Sequence, residues 1–164
     1  MAGTIKQTSL SVTISESISL NGVEYGNSIA KTFDGNGKVD QRIMTIQAKE
    51  VGGANFTSIL GLSTVDEKGV ITKTEYNYFR ITNTDDAINF NLQLKTTVGA
   101  ALYNYFQLQP GESFVLMSPD MSGAAAVAAI TFADIEEING QSDSEDTSID
   151  IEYVAVTKGG IIPT

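Results

Sequence analysis

Apolar and polar side chains alternate along most of the chain, which is the pattern of β-strands with one apolar face. In residues 4–20 the large apolar side chains all occupy even-numbered positions: Leu10, Val12, Ile14, Ile18 and Leu20. Glu16 shares that register, so we expect a bulge or bend beside it, because an unpaired buried charge is strongly unfavourable. The dipeptide Asn21-Gly22 then predicts a two-residue hairpin turn.

Turn residues divide the rest of the chain into further short strands. Residues 28–33 and 38–48 are predicted to be two strands, with a glycine-rich turn at residues 34–37 between them. Residues 76–117 predict four strands, with turns at residues 83–86 and 109–112, where Asn, Asp, Pro and Gly supply the turn chemistry. Residues 132–138 and 148–156 predict a final hairpin, joined by an acidic loop.

This succession of strands and turns predicts an all-β fold. We expect an antiparallel β-sandwich of about eight to ten strands, with a jelly roll preferred over an immunoglobulin-like arrangement. Residues 1–157 are predicted to form a single domain, since a chain of 164 residues is long enough to bury its own core. Residues 158–164 are predicted to be a flexible C-terminal tail, and the Ala-rich residues 123–130 a short helix or loop in preference to a strand at a subunit contact.

Four stretches of the chain form a recognisable series: TIKQTSLSVTISESISLNGVEYG (residues 4–26), YFRITNTDD (residues 78–86), FQLQPGESFVLM (residues 106–117) and SIDIEYVAVT (residues 148–157). With these stretches the chain resembles virion structural proteins of tailed bacteriophages, especially marine and cyanobacterial phages. The stretches occur in the same order as in those proteins. The chain departs from the pattern in residues 123–130 and 141–146. The resemblance implies a structural role and carries no catalytic residues with it.

The sequence lacks two of the residue types on which catalysis and metal binding most often depend. The sequence has no Cys and no His, which excludes disulfides and thiolate sites and removes the commonest general base and metal-binding imidazole. The adjacent acids of a pair such as Glu136 and Glu137 point to opposite faces of a strand and cannot serve one cleft. We therefore expect no enzyme activity, no cofactor and no metal, and interpret the acidic residues 141–146 as a solvated loop.

The charge of the chain narrows the choice of partners. A net charge of −10 argues against binding to nucleic acid or to anionic membranes. The sequence also lacks a secretion signal and an apolar run of about 18 residues, so no membrane association is expected. Proteins and glycans remain as classes of partner.

Six residues are candidates for protein contacts. They are the tyrosine pairs and the apolar tail residues: Tyr76, Tyr78, Tyr103, Tyr105, Ile161 and Ile162. The tyrosines are compatible both with a contact surface and with ordinary cross-strand packing. The tail is equally compatible with a disordered terminus and with docking on a neighbouring subunit.

Together these observations predict a non-enzymatic component of a phage virion, assembled in the cytoplasm of a bacterial host. The preferred hypothesis is a capsid decoration protein that binds the major capsid protein and stabilises the particle. We expect a homo-oligomer, and a trimer would suit capsid local symmetry. The alternative is a tail, neck or fibre component that binds host-surface glycans.

Overall fold

A computed structural model of the chain describes residues 8–52, 55–62, 71, 76–98, 100–117, 120–121 and 133–158. These residues form strands joined by turns and loops, and they include no helix that is long and apolar enough to span a bilayer. The ten strands are β1 (Thr8–Leu20), β2 (Val23–Ile46), β3 (Thr57–Gly61), β4 (Tyr76–Asn83), β5 (Phe90–Val98), β6 (Ala100–Leu108), β7 (Ser113–Leu116), β8 (Asp120–Met121), β9 (Ala133–Ser142) and β10 (Ile149–Lys158).

The strands form two antiparallel sheets. Sheet A has the order β1-β2-β10-β4-β7, and sheet B has the order β3-β9-β5-β6, with the short β8 beside the start of β9. Apart from β1 and β8, the first strand pairs with the last, the second with the seventh, the third with the sixth and the fourth with the fifth. This is the arrangement of a jelly roll. The predicted antiparallel sandwich is confirmed.

The core lies between the inner faces of the two sheets. Its largest fully buried side chains are Tyr153, Phe79, Phe90, Ile46, Ile81, Leu92, Leu94, Ile135, Ile138, Ile149 and Ile151. The rings of Phe79 and Tyr153 stack with their centroids 6.2 Å apart. The Tyr153 hydroxyl donates to Asp40 Oδ2 at 2.8 Å, and burial of the ring together with this hydrogen bond raises the pKa of Tyr153 to about 12.

The predicted turns at residues 83–86 and 109–112 are confirmed and meet at one end of the sandwich. Asn83 is fully buried, and its Nδ2 donates to the carbonyls of Ile88 (2.8 Å) and Leu108 (3.1 Å). The backbone N–H of Gly111 donates to the Asn83 carbonyl at 2.9 Å, and Gly111 adopts φ 78°. The buried Asn83 therefore contacts both turns and β6, through its side-chain amide and its backbone carbonyl.

Two local predictions were wrong, and each failed over the choice of strand partner. Residues 34–37 do not form a turn, because β2 runs through them as it changes partner from β1 to β10, with register shifts on both sides near Asn36. Residues 132–138 and 148–156 do not form a hairpin, because β9 belongs to sheet B and β10 to sheet A. The loop between them crosses from one sheet to the other.

The sandwich core leaves no room for a side chain at Gly140. A Cβ atom there would collide with the buried ring of Phe90 and lie 2.8 Å from Ile59 Cδ1. We expect Gly140→Ala to lower the free energy of unfolding by about 1–3 kcal/mol, measured by chemical denaturation. Gly61→Ala is the matched control, since a Cβ at Gly61 in the neighbouring β3 would meet no atom within 4 Å. Equal effects of the two substitutions would contradict this packing.

Candidate functional site

Strand β2 extends well beyond the body of the sandwich. It has 24 residues, whereas β10 has 10. The C-terminal part of β2 pairs with β10, and its N-terminal part, from Val23 to Asn36, pairs with β1. Every residue from Thr13 to Thr32 is exposed. We call residues 13–32, a two-stranded hairpin without a covering layer, the arm.

One side of the arm is apolar. The register of β1 and β2 places even-numbered residues of β1 and odd-numbered residues of the first part of β2 on the same side. Six large apolar side chains lie there, and we call them the arm face: Ile14, Ile18, Leu20, Val23, Tyr25 and Ile29. Each is 49–63% exposed. The opposite side carries mainly Ser, Thr, Ala and Gly.

The arm also explains why the bulge predicted beside Glu16 is absent. The register is regular from Leu10 to Leu20, and the shift in β1 lies at Thr8. Glu16 shares the side of the arm face, as the sequence indicated, but none of the described residues forms a second layer over that side. Its carboxylate remains in water, so the strand has no need to bend.

A small apolar cluster joins the arm to the outer face of sheet A. Phe33, Tyr78 and Val156 are its buried members, and we call them the base cluster. The ring centroids of Phe33 and Tyr78 are 6.3 Å apart, and Lys31 Nζ lies 4.7 Å from the Phe33 centroid. Leu10, Val12, Met117 and Val154 pack around them. The arm face is thus continuous with a packed patch on the body.

The structure separates the residues that the sequence singled out as contacts. Tyr78 is only 6% exposed and belongs to the base cluster. Tyr103 and Tyr105, 48% and 60% exposed, project from the outer face of the other sheet. Tyr76 begins β4 opposite Thr157, and its side chain is not described. Ile161 and Ile162 lie outside the described residues.

Sequence reasoning missed the arm face as a contact surface. Its apolar residues have the same alternation as core strands, so the pattern assigned them to the core. The one signal in the sequence was Glu16, which is incompatible with a buried face and is compatible with an exposed one.

The outer face of sheet B is polar and internally hydrogen-bonded. Asn139 Nδ2 donates to Gln93 Oε1 at 3.0 Å, and Gln93 Nε2 donates to the Tyr105 hydroxyl at 3.1 Å. In the next row Lys95 Nζ donates to Glu137 Oε1 at 2.6 Å, and this hydrogen bond raises the pKa of Lys95. These bonds hold the amide and tyrosine side chains in fixed positions.

A shallow groove of about 440 Å³ lies on this polar face. Its aromatic wall is the pair Phe56 and Tyr105, whose ring centroids are 5.8 Å apart. Amide side chains supply most of the remaining lining, and the full set is Phe56, Asn91, Tyr105, Phe106, Gln107 and Gln141. The acidic loop meets the same face, because Asn91 Nδ2 donates to Asp143 Oδ1 at 3.2 Å.

Two carboxylates of the described part of the chain illustrate a structural role. Asp85 Oδ1 accepts the backbone N–H groups of Ala87 and Ile88 at 2.9 and 2.8 Å, and these bonds lower the pKa of Asp85. Glu137 pairs with Lys95. No group of three or more carboxylates among the described residues is close enough together to hold a metal ion.

The base cluster is expected to anchor the arm. Phe33→Ala should lower the free energy of unfolding by about 3 kcal/mol, because it empties a buried aromatic site. Ile29→Ala is the control on the same side of the same strand, and it should change stability by less than about 0.5 kcal/mol, because Ile29 is 63% exposed. Chemical denaturation measures both. A large loss from Ile29→Ala in the monomer would show that the arm face is covered within one chain.

No protein-family model matches this sequence, and a comparison with curated proteins finds no match. The arm face and the polar face of sheet B are therefore the observations from which a function is argued.

Proposed function

We propose that the protein is a non-enzymatic structural component of a bacteriophage virion. In this proposal it decorates the capsid, and its arm face binds the major capsid protein. It acts in the assembled particle, where it stabilises the contacts between subunits by burying exposed apolar surface.

The observation that carries the proposal is the exposed arm face. Nearly every side chain of the arm face is exposed to solvent by half or more. Together these side chains expose on the order of 600 Å² of apolar surface, which is at the upper end of the apolar patches found on monomers. A contact side of a standard protein interface covers about 800 Å². A two-stranded hairpin is also marginally stable by itself in water. Both the exposed area and the marginal stability indicate that the arm is completed by another protein.

The jelly-roll order and the phage resemblance support the same proposal. Jelly rolls form viral capsid domains and lectin domains, although a fold does not determine a function. The stretches at residues 78–86, 106–117 and 148–157 that resemble phage virion proteins correspond to parts of β4, β6, β7 and β10, which are strands of the sandwich itself. The stretch at residues 4–26, which also resembles phage virion proteins, includes the first part of the arm.

Burial of the arm face would favour attachment, because it removes exposed apolar surface from water. The attachment would stabilise the assembled particle by mass action, since the protein binds the assembled state in preference to dissociated subunits.

Co-sedimentation with capsids assembled without this protein tests the proposal. We expect the wild-type protein to pellet with the capsids and to raise their temperature of disruption. The triple variant Ile14→Ser, Ile18→Ser and Ile29→Ser should bind about tenfold or more weakly, because each substitution removes a large apolar contact.

Val51→Ser is the matched control, because Val51 is 83% exposed but lies in the turn after β2, away from the arm. It should pellet like the wild-type protein. Equal pelleting of the triple variant, or no pelleting of the wild type, would overturn the proposed attachment through the arm face.

A second candidate function is glycan binding by a tail or fibre component. The observation that favours it is the groove walled by Phe56 and Tyr105 and lined by amides, since aromatic faces and fixed amide groups are suited to sugar rings and hydroxyls. It lies on sheet B, away from the arm on sheet A.

A glycan array followed by titration tests this second candidate. Tyr105→Ala should weaken binding by about tenfold or more, because it removes the aromatic wall. Tyr103→Ala is the control, since Tyr103 is exposed on the same side of β6 but does not line the groove. Absence of binding to any glycan, or equal losses from both variants, would exclude this site.

A further inference from the structure

We infer that two copies of this chain pair through the free edge of β1, as antiparallel strands related by a two-fold axis. The inference rests on the proposed contact role of the arm and names a partner for its edge. The arm face, which is perpendicular to that edge, stays available for the virion surface.

Strand β1 is an edge strand along its whole length. It bonds to β2 on one side and to no other strand of the described structure. Its 13 residues include neither Pro nor Lys, and its register is regular from Leu10 to Leu20. Proline, charged side chains and bulges are the usual means by which proteins prevent an edge from pairing, and of these β1 has one charged side chain, Glu16. The free edge of β2 in the arm is less suited, because that part of β2 contains Lys31, and lysine is one of the residues that keep an edge from pairing.

The hairpin turn determines which backbone groups this edge presents. In a two-residue hairpin the flanking pair, here Leu20 and Val23, exchanges its hydrogen bonds, and bonded and non-bonded pairs then alternate. Even-numbered residues of β1 therefore bond to β2. The N–H and C=O groups of the odd-numbered residues point away from the hairpin, and these residues are Ser11, Thr13, Ser15, Ser17 and Ser19.

The β1 edge of a second copy can pair with this edge along the whole regular segment of β1. Ser15 is the midpoint of the regular segment from Leu10 to Leu20, so a two-fold axis through Ser15 pairs all of that segment. Leu10 then lies opposite Leu20 of the second copy, and both sit on the apolar side. A slip of one residue would place serines opposite apolar residues on the wrong side. The product is a four-stranded sheet, which removes the marginal stability of an isolated hairpin.

The distribution of charge favours contact between two copies through their arms rather than through their acidic bodies. The chain carries a net charge of −10, whereas the arm contains two carboxylates, Glu16 and Glu24, and one cation, Lys31. The arm is therefore close to neutral, and two acidic bodies that meet through their arms keep most of their negative charge apart. An axis through Glu16 would place two carboxylates opposite each other, which disfavours that register.

Single-cysteine cross-linking tests the pairing directly. The chain has no Cys, so Ser15→Cys supplies its only thiol. In the proposed dimer the two copies of residue 15 form a directly opposed, hydrogen-bonded pair with Cα atoms about 5.5 Å apart, within the roughly 4.4–6.8 Å that a disulfide spans. Ser28→Cys is the matched control, because the Ser15 and Ser28 hydroxyls lie 3.1 Å apart across the hairpin but residue 28 faces the other edge.

We expect mild oxidation to convert most of Ser15→Cys, and little of Ser28→Cys, into a covalent dimer. Sedimentation velocity should show wild-type dimers, and Ser15→Pro should weaken their association by about tenfold or more, because it removes an outward N–H group. Ser28→Pro should not. A wild-type monomer throughout the micromolar range, a trimer without the Ser15→Cys cross-link, or equal cross-linking of both cysteine variants would overturn the pairing.

The capsid experiment keeps this inference and the proposed function distinct. Dimers that cross-link through residue 15 but do not pellet with capsids would support the pairing and remove the decoration role. Monomers that pellet with capsids through the arm face would support the decoration role and remove the pairing.

Discussion

Strand β2 is too long to be paired by the sandwich alone, and the arm follows from this excess length. The strand has 24 residues and its body partner β10 has 10, so more than half of β2 must find hydrogen-bond partners elsewhere. Strand β1 supplies them. Because sheet B does not extend over this hairpin, the described strands provide no second layer for the apolar positions of the arm, and the arm face is exposed.

The two outer faces of the sandwich differ in chemistry. A jelly roll buries the inner side of each sheet in the core, so the outer side of each sheet is free to carry side chains that contact other molecules. On sheet A the outer side carries the base cluster and leads into the arm face. On sheet B it carries hydrogen-bonded amides, an ion pair and two exposed tyrosines. The first is suited to burial against protein, and the second to hydrogen bonding with a polar ligand.

The arm combines the low intrinsic stability of a two-stranded hairpin with the two sites of association that we propose. Its edge offers backbone hydrogen bonds and its face offers apolar area, and each can be satisfied without occupying the other. The base cluster determines where the arm leaves the body, since Phe33 is buried against Tyr78 while Ile29, four residues earlier in the same strand, is 63% exposed. An arm of this kind can contribute to an assembly while the sandwich core remains unchanged.

Alternation and turn chemistry are local properties, so the amino-acid sequence predicted the β class, most of the strands and the turns at Asn21-Gly22, 83–86 and 109–112. Strand pairing is not local, which is why the turn at residues 34–37 and the pairing of the last two strands as a hairpin were predicted wrongly. Local pattern also does not separate Tyr78, which is buried beneath Phe33, from Tyr105, which has the same pattern and is exposed. Which apolar faces are covered became clear from the packing of the two sheets, because coverage depends on residues that are distant in the sequence and that alternation does not record.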